Sequence, residues 1–172
     1  MAKHSPSYSI GDMVVHRYYG IGKIESIDNK PFDGVQVDCF KVSTDNCVYW
    51  FPKESKDNPR VHPVASKAMI KKATKILQSP PQDIENDPIQ WKERIDDVVA
   101  DGSIIAISTL VRDLNALKMQ KSLNRTQDQA LNNLKDRLLR EWAAGMEVDT
   151  NFIRPTLQSY LNESNSHIQN AA

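Results

Sequence analysis

The chain has 172 residues, 40% hydrophobic, 7% aromatic and 26% charged, with 22 basic residues matched by 22 acidic ones. That length suits one ordinary domain or two small ones, and no run approaches the roughly 18 consecutive apolar residues that a membrane-spanning helix needs. A neutral chain also lacks the basic excess with which proteins that hold DNA unaided neutralise phosphates, so any nucleic-acid contact must be local or brought about by another partner.

The N-terminal MAKHSPSYSIGD has no apolar stretch of the kind a signal peptide carries, and a cytoplasmic protein is expected. Up to about residue 60 the chain is rich in Val, Ile, Tyr and Phe, punctuated by glycine and asparagine, which is strand-and-turn chemistry. Strands are predicted at Met13 to Arg17, Ile21 to Asp28, Val35 to Val42 and Cys47 to Phe51. Turns are predicted at Tyr18 to Gly20, Asn29 to Gly34 and Thr44 to Asn46. So many short strands in so little chain cannot bury two flat faces. A small twisted barrel of SH3 or Tudor type is the natural solution, because closure also removes exposed edges. Cys39 and Cys47, the only cysteines, are expected to be plain thiols on strands. Together with His4, His16, His62 and His167 they make no zinc-ligand spacing, and neither a metal nor a cofactor is expected.

After residue 63 the apolar spacing becomes helical. Val64 to Gln78 carries Ala65, Ala68, Met69, Ala73, Ile76 and Leu77 at intervals of three and four, and Ser79-Pro80-Pro81 stops it. Asp87 with Pro88 and Gln90 marks the start of a second helix, bearing Trp91, Ile95, Val98 and Val99 and ending at Gly102. Ser103 caps a third, through Met119. Thr126 with Gln129 forms a capping box for a fourth, which Gly145 ends. Phe152, Leu157, Tyr160 and Leu161 suggest a short fifth helix with Pro155 at or near its start, followed by a polar, frayed tail. The fold class is therefore α+β, with a Tudor-like domain over 6–60, a helical domain of four to five helices over 63–162 and a flexible tail over 163–172.

Chemistry-bearing motifs are few. Gly20-Ile21-Gly22 lacks the third glycine and the following helix of a dinucleotide loop, and reads as a tight turn between strands. His16, His62, Cys39 and Cys47 do not make a nucleophile with a base and an orienting partner, so no catalytic residue is assigned and no enzyme is expected. Asp96 and Asp97 are adjacent, point apart on a helix, and read as a solvated face. Lys67, Lys71, Lys72 and Lys75 form either a solvated face or a phosphate-binding one. Trp91 beside Lys92 and Arg94 allows two readings. It is a core indole, or it is an exposed ring that wedges against a base while the cations hold phosphate.

The stretch from Tyr8 to Ile27, YSIGDMVVHRYYGIGKIESI, resembles the opening of the CarD/CdnL family of bacterial transcription factors: an aromatic, then x-x-Gly-Asp-x-Val-Val-(His/Tyr)-Pro-x-His-Gly-x-Gly, then an Ile-rich strand. Trp91 and Thr109 to Leu114, TLVRDL, resemble the same family's helical domain. Arg17 stands where the family usually has proline, and Tyr19 where it usually has histidine. The chain contains no Walker motif, so the resemblance implies a stand-alone regulator rather than a motor-bearing repair factor. It further implies that the barrel binds the β-subunit lobe of RNA polymerase, with Lys30, Phe32 and Trp50 at contact positions. The helical domain would reach promoter DNA without base-specific readout, at the upstream edge of the transcription bubble. There Trp91 would act as the wedge, with Lys92 and Arg94 on nearby phosphates, stabilising the open complex. No small-molecule substrate and no membrane partner is implied, and a nucleoid-associated location follows. The rival expectation is a polymerase-tethered adaptor whose helices bind another protein and whose Trp91 is buried.

Overall fold

A computed structural model describes residues 7–54, 58–82 and 87–170. His4, the expected domain start at residue 6 and residues 171–172 of the expected tail lie outside the described residues. The chain divides into two compact units, at Val64 and Ala65. No helix among the described residues is long and apolar enough to cross a membrane.

The first unit is an antiparallel sheet of β1 (Met13–His16), β2 (Gly20–Phe32), β3 (Val35–Ser43), β4 (Val48–Pro52) and β5 (Val61–Pro63), hydrogen-bonded in the order β4-β3-β2-β1-β5. It is the Tudor-like sheet expected, in open form. The short β5 pairs with β1 and was not legible, because three residues carry no periodicity. Val14, Ile24, Phe40, Val42, Phe51 and Val61 form the core, with Tyr8 and Tyr49 packed against it. The Gly-x-Gly pair has a structural explanation. Gly20 adopts φ 75°, and a Cβ on Gly22 would lie 2.7 Å from Val42 Cγ1 and 2.8 Å from the Ser43 carbonyl oxygen. The expected turn over Asn29 to Gly34 is instead a hairpin whose two-residue loop is Asp33-Gly34, both at positive φ, as the twist of paired strands favours. Lys30 and Phe32 thus belong to β2.

The second unit comprises α1 (Lys67–Gln78), α2 (Pro88–Asp101), α3 (Ile104–Gln120), α4 (Arg125–Met146) and α5 (Thr150–Asn170). Ser66, Asp87 and Ser103 cap the first three through side-chain oxygens that accept from Met69, Ile89 and Ala106 amides. The box at α4 is Asn124 with Gln127, not Thr126 with Gln129. Both pairs have the required spacing, but Gln127 is buried and the helix begins where Leu131 and Leu134 then face the core. The larger correction is α5, which runs from Thr150 through Pro155 to Asn170 where a short helix and a tail were expected. Asp149 accepts the Asn151 amide at 2.8 Å and sets the start. The stripe Ile153, Leu157, Leu161 and Ser164 is buried, and that burial outweighs the one backbone hydrogen bond Pro155 removes. α3 is buried nearly all round, and the other helices pack about it.

Candidate functional site

On the sheet, register places Asp28, Lys30 and Phe32 on the face opposite Phe40 and Phe51, and Trp50 on the same outer face through its pairing with Lys41. The Lys30 ammonium sits 4.5 Å from the Trp50 ring centroid, a cation–π contact worth about 0.5–1 kcal/mol at an exposed site. The Trp50 indole N–H donates to Asp28 Oδ2 at 2.9 Å, and the Ser26 hydroxyl donates to Asp28 Oδ1. These two donors, with Lys30 and Lys41 nearby, hold the Asp28 carboxyl below the usual carboxylate range. Trp50 remains 39% exposed and Phe32 51%. Both line an open groove of about 510 Å³ together with Tyr18, Tyr19 and Arg60. The structure thus brings Lys30, Phe32 and Trp50 onto one face. Asp28, which orients the tryptophan, and the Tyr18–Tyr19 pair were missed. Asp28 carries no sequence signal, because its partner lies two strands away.

The floor of this groove is aromatic. His16 stacks on Tyr19 with centroids 4.3 Å apart, and its Nδ1 accepts the amides of Tyr18 and Tyr19, which shapes the β1–β2 turn. Tyr49 packs beside both rings. Cys39 is buried on β3, and burial followed by Asp38 pushes its thiol pKa up, so it is a poor nucleophile. Among the described residues no three His, Cys, Asp or Glu side chains gather at a possible metal site.

In the helical unit the three residues expected at DNA do different things. Trp91 is 4% exposed and belongs to the core with Ile95, Leu110 and Leu134. The exposed indole the wedge reading needs is absent, because Pro88 starts α2 in a phase that turns position 91 inward together with Ile95. The Arg94 guanidinium lies 5.2 Å from the Trp91 centroid and donates to Asp113. Lys92 is exposed and pairs with Asp96 one turn on, at 3.2 Å. Asp113 is 0% exposed and is the hub. It also accepts from Arg112 Nε at 2.7 Å and from the Gln82 amide at 3.1 Å. Arg112 in turn donates to Ser79 Oγ, and Ser164 donates to the Ser79 carbonyl. One buried charge network therefore ties the end of α1, the chain at Gln82, α2, α3 and α5 together.

Residues 8–49 match the model of the CarD-like/TRCF RID domain, and residues 72–158 match that of the CarD C-terminal domain. The chain belongs to the CarD family. It is also similar to a candidate transcription factor, YdeB of Bacillus subtilis (strain 168), at 28% identity over 139 residues, which cover 78% of this chain and 89% of the relative. In this CarD protein the Arg112-Asp113 step inside the TLVRDL stretch is occupied with holding five segments together, and Arg94 is part of the same network. The lysines of α1, Lys67, Lys71, Lys72 and Lys75, are exposed as expected.

Tyr49 supplies a pH dependence for the CarD-like sheet. Its hydroxyl is buried without a hydrogen-bond partner among the described residues, and burial pushes its pKa well above the ordinary 10.0. Above pH 10 the unfolded chain releases this proton while the folded one keeps it, so stability falls as pH rises from there. Alkaline titration followed by sheet circular dichroism is expected to show earlier unfolding for the wild type than for Tyr49→Phe. Coincident curves would mean that the hydroxyl reaches water.

Proposed function

We propose that this CarD-family chain is a transcription regulator that docks on RNA polymerase through its β unit, at the β-subunit lobe. Family membership and the description of YdeB as a candidate transcription factor support the general role. The single observation that carries the contact surface is the assembly of Lys30, Trp50 and Asp28 beside Phe32. An indole fixed by a hydrogen bond on one edge and a cation on its face presents apolar area already ordered, which lowers the entropic cost of association. Aromatic anchors of this kind dominate protein interfaces.

For the helical unit, burial of Trp91 bears on two readings. Withdrawing the indole from its core would cost about 3–5 kcal/mol, by analogy with truncating a buried tryptophan. Stacking on a base supplies only about 1–3 kcal/mol. A wedge at the upstream edge of promoter DNA therefore runs uphill from this conformation. Lys92 is still available to a phosphate, because its exposed pair with Asp96 contributes little. The second reading, a polymerase-tethered adaptor whose helices bind another protein, is favoured by the buried indole.

Calorimetry against the isolated polymerase β lobe tests the docking face. Lys30→Glu is expected to weaken binding about tenfold, roughly 1.4 kcal/mol, by reversing the charge over the Trp50 ring. Equal affinity would remove this face from the interface. With the whole initiating RNA polymerase and promoter DNA, a longer open-complex lifetime in the presence of the wild-type protein favours the DNA reading. An unchanged lifetime favours the adaptor.

A further inference from the structure

The helical unit holds a second concave surface that neither the docking face nor the Trp91 region uses. It lies between α4 and α5, has a volume of about 570 Å³, and is lined by Asn132, Lys135 and Leu139 from α4 and by Arg154, Leu157 and Gln158 from α5. That volume is in the range of small-ligand sites. Lys135 and Arg154 face it from opposite helices, and among the described residues neither has an acidic partner. The remaining charge in the lining, Asp136, is held by Arg140 at 2.7 Å. Lys118, close enough to act on Lys135, is itself paired with Asp128 at 3.1 Å. Leu139 and Leu157 contribute the apolar part of the lining.

We propose that this α4–α5 groove is a phosphate-binding site, in which Lys135 and Arg154 hold the anion over a floor backed by the buried Leu139 and Leu157. Lys135 is partly buried and Arg154 exposed; two like charges at one groove repel, and an anion that neutralises both removes that repulsion. The state of Lys135 is consistent: burial, and then Lys118 and Arg154, lower its pKa from the ordinary lysine value. A bound phosphate reverses that repulsion and adds charge-assisted hydrogen bonds, with the guanidinium of Arg154 suited to two phosphate oxygens at once. The anion has two possible sources that share this chemistry, a free phosphorylated molecule or a backbone phosphate of nucleic acid. The site is independent of the polymerase-docking reading, which concerns the other unit.

The test uses the full chain and inorganic pyrophosphate, titrated by calorimetry at low ionic strength. The wild type is expected to give saturable binding and a rise in melting temperature with pyrophosphate, since a ligand of the folded state stabilises it by mass action. Lys135→Gln with Arg154→Gln is expected to weaken binding about tenfold or more while melting no lower than the wild type, because the substitutions remove repulsion. Lys71→Gln with Lys72→Gln, an equally basic pair on α1, is expected to leave binding unchanged. A short DNA duplex that displaces pyrophosphate assigns the site to backbone phosphate. A duplex that does not displace it assigns the site to a free phosphorylated ligand. Absence of saturable binding, unchanged binding in the groove variant, or an equal loss in the α1 variant would overturn the proposal.

Discussion

Trp91→Ala is expected to destabilise the helical unit by about 3–5 kcal/mol, the range for removing a buried tryptophan and leaving a cavity. The indole is 4% exposed, belongs to the core cluster that includes Ile95, Leu110 and Leu134, and has the Arg94 guanidinium over its ring. Few neighbours are free to collapse into the space. Ile107, Leu110 and Leu114 are already at full burial on α3, the helix about which the others pack. Trp91→Phe keeps much of the volume and is expected to lose less, about 1–3 kcal/mol. Urea unfolding of the full chain followed by helical circular dichroism reads both. Binding to the polymerase β lobe is expected to survive in Trp91→Ala wherever the β unit stays folded, since the proposed docking face lies in the other compact unit. An unchanged midpoint for the helical transition would show that the indole is not in the core, and would restore the wedge reading.

Asp113→Asn is expected to cost a similar amount, about 3–5 kcal/mol, for a different reason. The carboxylate has no exposure, and it neutralises Arg112, which is itself 5% exposed, as well as Arg94. An asparagine fills the same space but leaves the Arg112 guanidinium charged, buried and uncompensated. It also places an amide where the Gln82 amide and two guanidinium groups all donate. Arg94→Gln is expected to lose less, because that side chain is 30% exposed and water can take over part of its solvation. The ordering Asp113→Asn worse than Arg94→Gln, measured by urea midpoint, is the signature of a hub. Equal small losses would make the network a surface decoration.

The resemblance to CarD proteins rested on short segments, and their structural duties explain why they are recognisable. Gly20 and Gly22 are needed because one carries a positive φ and the other faces Val42 and Ser43 with no room for a Cβ. The Arg112-Asp113 step marks the charge hub. Motifs of this kind report backbone and packing constraints as readily as chemistry, and Arg94 shows the hazard. Read as a basic residue next to a tryptophan it suggested phosphate binding, whereas its charge is committed to Asp113, nineteen positions on.

The sequence by itself determined the division into a strand-rich and a helical part, the starts of α2 and α3, and the presence of Lys30, Phe32 and Trp50 in the first part, because caps, periodicity and turn residues act over a few positions. Only the tertiary structure decided that Trp91 faces inward, that Pro155 lies inside a helix reaching Asn170, that Asp28 orients Trp50, and that Lys135 meets Arg154 across a groove. Each of those depends on which surfaces of distant segments are buried together, and burial energy summed over a helix overrides the local preference of any one residue in it.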